Sequence, residues 1–173
     1  MSNNSKMKSK MQKKNLKYYF AYGSNMSIGR LNYRMKTTTR NFPSPKGRAD
    51  ILCRGIISGW ELRFNCFWDG DVYANIMKKD GCSTEGIIFE IDKAGLSRLD
   101  AFEDVPSHYL RKKINVRIGS SKKEIECFVY IANPQIIKEG LRPRKEYLSH
   151  LLEAKAYLSK NYFEKLSKTK TVD

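Results

Sequence analysis

The chain has 173 residues, 40% of them hydrophobic, and a formal charge of +15 from 33 basic and 18 acidic side chains. That length suits one compact domain and leaves little for a second core, and no apolar run approaches the roughly 20 residues that cross a bilayer. The charge alone would suit a phosphate-rich partner, but the basic residues lie in scattered groups with no helix-turn-helix spacing, zinc finger or aromatic RNA-binding signature, so a generally basic surface is expected and nucleic-acid binding is not.

The opening stretch, MSNNSKMKSKMQKKNL, carries five lysines, no acid and no apolar run of signal-peptide length. It is expected to be a solvated, disordered tail over residues 1–16, ahead of one domain over 17–163 and a second tail over 164–173, in a cytoplasmic protein. Lys17 to Tyr22 (KYYFAY) predicts a strand, stopped by the turn formers Gly23, Ser24 and Asn25. Asn25 or Ser27 can cap a short helix through Arg34, after which Pro43, Pro45 and Gly47 predict an irregular loop. Six strands are then expected, over 51–58, 60–65, 73–78, 84–91, 109–118 and 124–131. In the second of them Trp60, Leu62 and Phe64 share one face while Glu61 and Arg63 share the other, as a half-buried strand requires.

Two helices interrupt this series. Asp92 can cap one that runs toward Glu103 and ends before Pro106. Another begins near Pro143 and carries Tyr147, Leu148, Leu151, Leu152 and Leu158 at helical spacing. Many short strands with inserted helices predict an α+β domain whose sheet curls toward a barrel, with the strand order left open. Cys53, Cys66, Cys82 and Cys127 form no CxxC pair and have no histidine at ligand spacing, so reduced thiols are expected, with no metal and no cofactor.

Candidate chemistry lies where these elements end. Leu96, Leu99 and Glu103 follow one helical stripe, so Glu103 is expected to point inward from the last turn. Burial and the negative end of the helix dipole would both disfavour its ionised form, which suits a group that takes and gives a proton; a surface ion pair with Arg98 or Arg111 is the plain alternative. Substituting it by glutamine is expected to spare the fold. Gly23 permits close backbone approach, and the N–H groups around Ser24 to Ser27 open onto a helix start, which makes either a cradle for a carboxylate or carbonyl oxygen or an ordinary connection. His108, His150, Ser24 and Ser107 stand at no spacing that joins them into a triad.

The strings YFAYGSN (Tyr19 to Asn25), EGIIFEI (Glu85 to Ile91) and LDAFEDVPSHYLR (Leu99 to Arg111), in that order and at those separations, resemble the gamma-glutamylcyclotransferase family. The tyrosine-led helix at Tyr147 is similar to the family's closing segment, so the likeness extends over roughly residues 17–158. The resemblance implies a mixed, barrel-like β-sheet flanked by helices, with a pocket at one end. It also implies a small-molecule γ-glutamyl substrate that closes to 5-oxoproline as an amino acid or amine departs. Within that likeness Glu103 matches the catalytic acid/base, and Tyr19, Phe20, Ala21, Tyr22, Gly23 and Ser24 match the substrate-binding loop, with Asn25 and Met26 alongside. Tyr109, Tyr130 and Tyr147 match pocket tyrosines, Tyr147 as a substrate contact. One departure is Asp104, where the family usually has glycine after the glutamate; it would add a negative charge beside Glu103. The alternatives are a γ-glutamylamine cyclotransferase, an enzyme removing a γ-glutamyl protecting group, or a basic binding module without catalysis.

Overall fold

The structure is a computed structural model that describes residues 17–37 and 45–173. The lysine-rich opening stretch and the loop around Pro43 lie outside the described residues. β1 (Lys17–Ala21) leads into a single 3-10 turn, Ser24–Met26, and then into α1 (Ile28–Lys36), capped by the Ser27 hydroxyl, which accepts from the N–H of Arg30 at 3.3 Å. β2 (Ala49–Trp68) and β3 (Asp71–Ile91) form one long hairpin. Asp69 and Gly70 join them with φ of 49° and 82°, the two positive values that a type I′ hairpin turn demands and that Asp-Gly readily adopts.

Here the fold departs from the expected run of short strands. The breaks anticipated at Gly59 and around Gly81 do not end the strands: pairing resumes across them, passing from Ser58↔Ser83 to Trp60↔Lys78. Both glycines have positive φ, 77° and 76°, and the register shifts between them, with residue 59 of β2 standing against residues 79–82 of β3, an irregularity that interrupts the ladder without terminating either strand.

β3 also pairs antiparallel with β1, from Lys17↔Ile91 to Ala21↔Ile87. β2 pairs with β4 (Tyr109–Ile118), and β4 with β5 (Glu124–Ala132). β5 returns to β1 in parallel at Tyr19↔Phe128, closing a barrel in the order β1-β3-β2-β4-β5. The sheet is therefore mixed and barrel-like, as the sequence predicts. Ile87, Ile88 and Phe89 are buried in succession, so this part of β3 is covered on both faces. Gly86, just before them, lies so close to β1 that a Cβ there would sit 2.1 Å from the Ala21 carbonyl oxygen. That contact fixes the height at which β1 delivers the loop beginning at Tyr22.

α2 (Lys93–Phe102) starts at Asp92, whose carboxylate accepts from the Gly95 N–H at 2.7 Å, and buries Leu96 and Leu99. The helix expected from Pro143 to Leu158 is instead three pieces: α3 (Lys145–Leu152), a 3-10 segment over Glu153–Tyr157, and α4 (Lys160–Ser167). Ser159 makes the division. Its hydroxyl accepts from the Tyr162 N–H at 3.2 Å to cap α4, while its own N–H and hydroxyl donate to Glu85, each at 2.7 Å. α4 carries Leu166 into the core, and the Val172 N–H donates to the Pro143 carbonyl at 3.1 Å. Core packing and backbone hydrogen bonding thus continue past Phe163. Among the described residues no helix is long and apolar enough to cross a membrane, and all four cysteines are free.

Candidate active site

Glu103 sits immediately after α2, its N–H still donating to the Leu99 carbonyl at 2.8 Å, so the stripe through Leu96 and Leu99 carries its side chain inward as expected. The chain turns sharply at Asp104, whose φ of 45° is the left-handed conformation that glycine adopts freely and aspartate tolerates. The Asp104 carboxylate lies 3.3 Å from His108 Nε2 and is mostly exposed; it lines neither cavity described below.

The Glu103 side chain borders an open cavity of about 320 Å³, a volume that includes the solvent at its mouth. β1 and the turn after it supply Tyr19, Phe20, Tyr22, Gly23, Ser24 and Asn25; β3 supplies Ala74; β4 and β5 supply Tyr109 and Tyr130; α3 supplies Tyr147. The fold thus gathers onto one cavity most of the residues singled out in the sequence. Ala21 and Met26 are the exceptions, each packed in the core behind the loop at 1% exposure. Their apolar side chains anchor the turn, while its backbone and polar residues face the space.

The carboxylate is held from one side. Asn25 Nδ2 donates to Glu103 Oε1 at 3.0 Å and to the Tyr19 hydroxyl at 2.9 Å, and Arg34 Nη1 donates to the same Oε1. Among the described residues, no donor reaches Oε2. Burial works against the charge on Arg34, but the Glu103 carboxylate outweighs it and raises the guanidinium pKa. Neither cation named in the plain alternative reaches Glu103: Arg98 Nε donates to the Arg34 carbonyl, and Arg111 pairs with Asp100. Arg34 was hidden among the scattered basic residues, although Leu31, Arg34 and Met35 share one helical face and all three are buried. It adds an influence on Glu103 that burial and the helix terminus leave out.

Two tyrosines clamp a single residue of β3. The Tyr147 hydroxyl accepts from the Ala74 N–H at 3.0 Å, and the Tyr109 hydroxyl donates to the Ala74 carbonyl at 2.8 Å. Tyr22 donates to the Tyr130 carbonyl, and the Tyr130 hydroxyl to Asp100 Oδ1 at 2.8 Å. Burial pushes the Tyr147 phenol up to about 12; burial first, then Glu103, raises that of Tyr19, and burial likewise raises Tyr22, Tyr109 and Tyr130. At neutral pH these are uncharged hydrogen-bonding groups and poor bases, which leaves Glu103 as the one carboxylate on the cavity wall among the described residues.

A larger open chamber, about 630 Å³ with the solvent at its mouth included, adjoins the first. The two share Ser24, Glu103, Tyr109 and Tyr147, and the larger is walled further by Arg30, Arg34, Trp68, Tyr73 and His108. Glu103 therefore stands between two spaces. A substrate bound across it would place its reacting bond at the carboxylate, with one half in each chamber. Gly23 leaves little room at this junction, since a Cβ would come within 3.3 Å of Ala74 Cβ and 3.4 Å of the Tyr147 hydroxyl.

A closed mixed barrel with a glutamate at its rim, opposite a loop leaving the first strand, defines a gamma-glutamylcyclotransferase-like fold. The chain belongs to the family described as Gamma-glutamyl cyclotransferase, AIG2-like, whose model matches residues 19–160. It is 30% identical over 158 residues to YkqA of Bacillus subtilis, covering 90% of this chain and 52% of that protein. It is also 30% identical over 123 residues to the mouse gamma-glutamylcyclotransferase, covering 65% of this chain and 57% of the other. The chain thus spans about half the length of these relatives. A solved gamma-glutamyl cyclotransferase structure superposes with a TM-score of 0.77 at 24% identity, over 91% of this chain and 90% of its own.

Proposed function

We propose that the chain is a gamma-glutamylcyclotransferase-type enzyme that closes a γ-glutamyl amide or dipeptide into 5-oxoproline and releases an amine or amino acid, with Glu103 as general base and then general acid. The observation that carries this reading is the posture of Glu103: Oε1 is fixed by Asn25 and Arg34, while Oε2 receives no donor among the described residues, on a side chain that borders both chambers.

In such a substrate the nucleophile and the electrophile belong to one molecule, so the protein's task is to fold the chain into attacking geometry and move protons. Glu103 takes a proton from the α-ammonium, whose other protons have the buried, unpartnered Asn25 Oδ1 as an acceptor. The freed amine attacks the γ-carbonyl carbon and forms the five-membered ring. Charge develops on the carbonyl oxygen, opposite the loop. The Met26 N–H is already spent on the Gly23 carbonyl at 2.9 Å, so the donors left for substrate oxygens are the N–H groups of Gly23, Ser24 and Asn25. Protonated Glu103 then delivers its proton to the departing nitrogen as the C–N bond breaks, and the restored carboxylate relays the second proton of the ring nitrogen to the released amine, which leaves as an ammonium while the lactam keeps one N–H. Tyr147 and Tyr109, by holding Ala74, set the wall against which the γ-glutamyl half folds.

The test is a product assay on the purified chain with γ-glutamyl dipeptides, γ-glutamyl-lysine and glutathione. Equal amounts of 5-oxoproline and free amine are expected from at least one of them. Absence of 5-oxoproline from all of them defeats the reading.

A further inference from the structure

The larger chamber holds a positive charge that the proposed chemistry does not use. Arg30 and Arg34 are one turn apart on α1 and both line this space, so their side chains emerge as neighbours about 5–6 Å apart at their Cβ atoms. Arg34 is committed to Glu103. Arg30 forms no ion pair among the described residues, and its Nε is buried without a hydrogen-bond partner. Burial, followed by the proximity of Arg34, lowers its pKa, as expected of a cation whose counter-charge is missing. The acids nearby do not supply one: Asp71, on the adjoining depression that Arg30 also borders, pairs with Arg144, and Glu146 lines the same depression without forming an ion pair with Arg30.

We propose that Arg30 is a specificity-determining residue that binds a carboxylate on the leaving half of the substrate, so that the larger chamber selects γ-glutamyl dipeptides over γ-glutamyl amines. The inference rests on the cyclisation reading above and concerns only what departs. If Glu103 protonates the departing nitrogen, the carboxylate of a leaving amino acid lies two bonds away. Arg30 lines the chamber that Glu103 borders and stands one helical turn from the arginine that holds it. A guanidinium is suited to the task, because its planar fork matches a carboxylate with two parallel N–H donors. Trp68 and Tyr73 line the same chamber and offer an apolar wall to the amino acid's side chain. A simple amine would leave the half-buried Arg30 without a counter-charge and its Nε without an acceptor.

The experiment compares γ-glutamylalanine with γ-glutamylethylamine, which differ only by that carboxylate, in the parent enzyme and in Arg30→Met. The parent is expected to favour the dipeptide in kcat/KM by roughly ten- to hundredfold, the worth of a charge-assisted hydrogen-bonded pair. In Arg30→Met that preference collapses to within a few fold, chiefly through KM for the dipeptide, and Arg30→Lys recovers part of it. Equal parent rates on both substrates overturn the proposal while leaving the cyclisation reading intact, and this arm needs no variant to fold. An equal loss on both substrates in Arg30→Met also overturns it, since that is the mark of a structural role. If neither compound yields 5-oxoproline while glutathione or γ-glutamyl-lysine does, the proposal alone falls; if nothing does, the reading beneath it falls as well.

Discussion

Tyr147 serves two ends with one hydroxyl. It borders both chambers, and it is the acceptor for the Ala74 N–H at 3.0 Å. Tyr147→Phe removes that acceptor and leaves a buried N–H without a partner, so it is expected to destabilise the fold by about 1 to 3 kcal/mol, as well as weakening apparent substrate binding. Denaturant unfolding beside steady-state kinetics checks both; a variant with parental stability would mean that Ala74 finds another acceptor. From sequence alone the substitution reads as a pocket change that spares the fold, because nothing in the chain pairs Tyr147 with Ala74, 73 residues away. Glu103 was legible in orientation, since Leu96 and Leu99 set its stripe. Its partner Arg34 was not, because a basic residue among many reads as solvated unless the period through Leu31 and Met35 is followed. Asp104 shows the same gap: the charge was readable, while the positive φ that turns it toward His108 was not.

At the scale of elements, the contact between α1 and the segment after α3 is electrostatic. Ser27, the cap of α1, donates its hydroxyl to Glu153 Oε2 at 2.5 Å, and His150 Nδ1 lies 3.3 Å from Oε1. The Ser27 hydrogen bond first, and His150 after it, hold the Glu153 carboxyl below its ordinary value of 4.5, with burial acting the other way. A lowered folded value means that the native state prefers the ionised acid. The stability it contributes is therefore present above pH 4.5 and is lost as pH falls through the lower folded value. Because Glu153 is half exposed, the effect is small. Melting temperature against pH should fall more steeply below 4.5 in the parent than in Glu153→Gln; parallel curves would show that the contact does not form. The caps at Asp92 and Ser27 were readable because a side-chain oxygen ahead of a helix has a local function. Strand lengths were not. Glycine at 59 and 81 looks like punctuation in a sequence, and only the partner strand across it shows that pairing continues. The Asp69-Gly70 turn was a signal within reach, since Asp-Gly between two apolar runs marks a tight hairpin.

For the whole molecule, the barrel closes through the parallel meeting of β5 with β1, and the cavity draws on residues from Tyr19 to Tyr147. No periodicity encodes such closure, which is why the α+β class and the curling sheet were legible and the strand order was not. The packing of α1 against α2 joins Glu103 to Arg34, and this changes the forecast for the central substitution. Glu103→Gln retains an acceptor for Asn25 but removes the counter-charge of a largely buried guanidinium, so in place of unchanged stability we expect a loss of about 1 to 3 kcal/mol with the fold retained. The decisive measurement is single-turnover formation of 5-oxoproline by Glu103→Gln, run beside calorimetric substrate binding and circular dichroism on the same preparation. A folded variant that binds substrate within a few fold of the parent and turns it over at least roughly a hundredfold more slowly is the predicted result. A folded variant with near-parental turnover would contradict the assignment of Glu103 as the group that moves the proton.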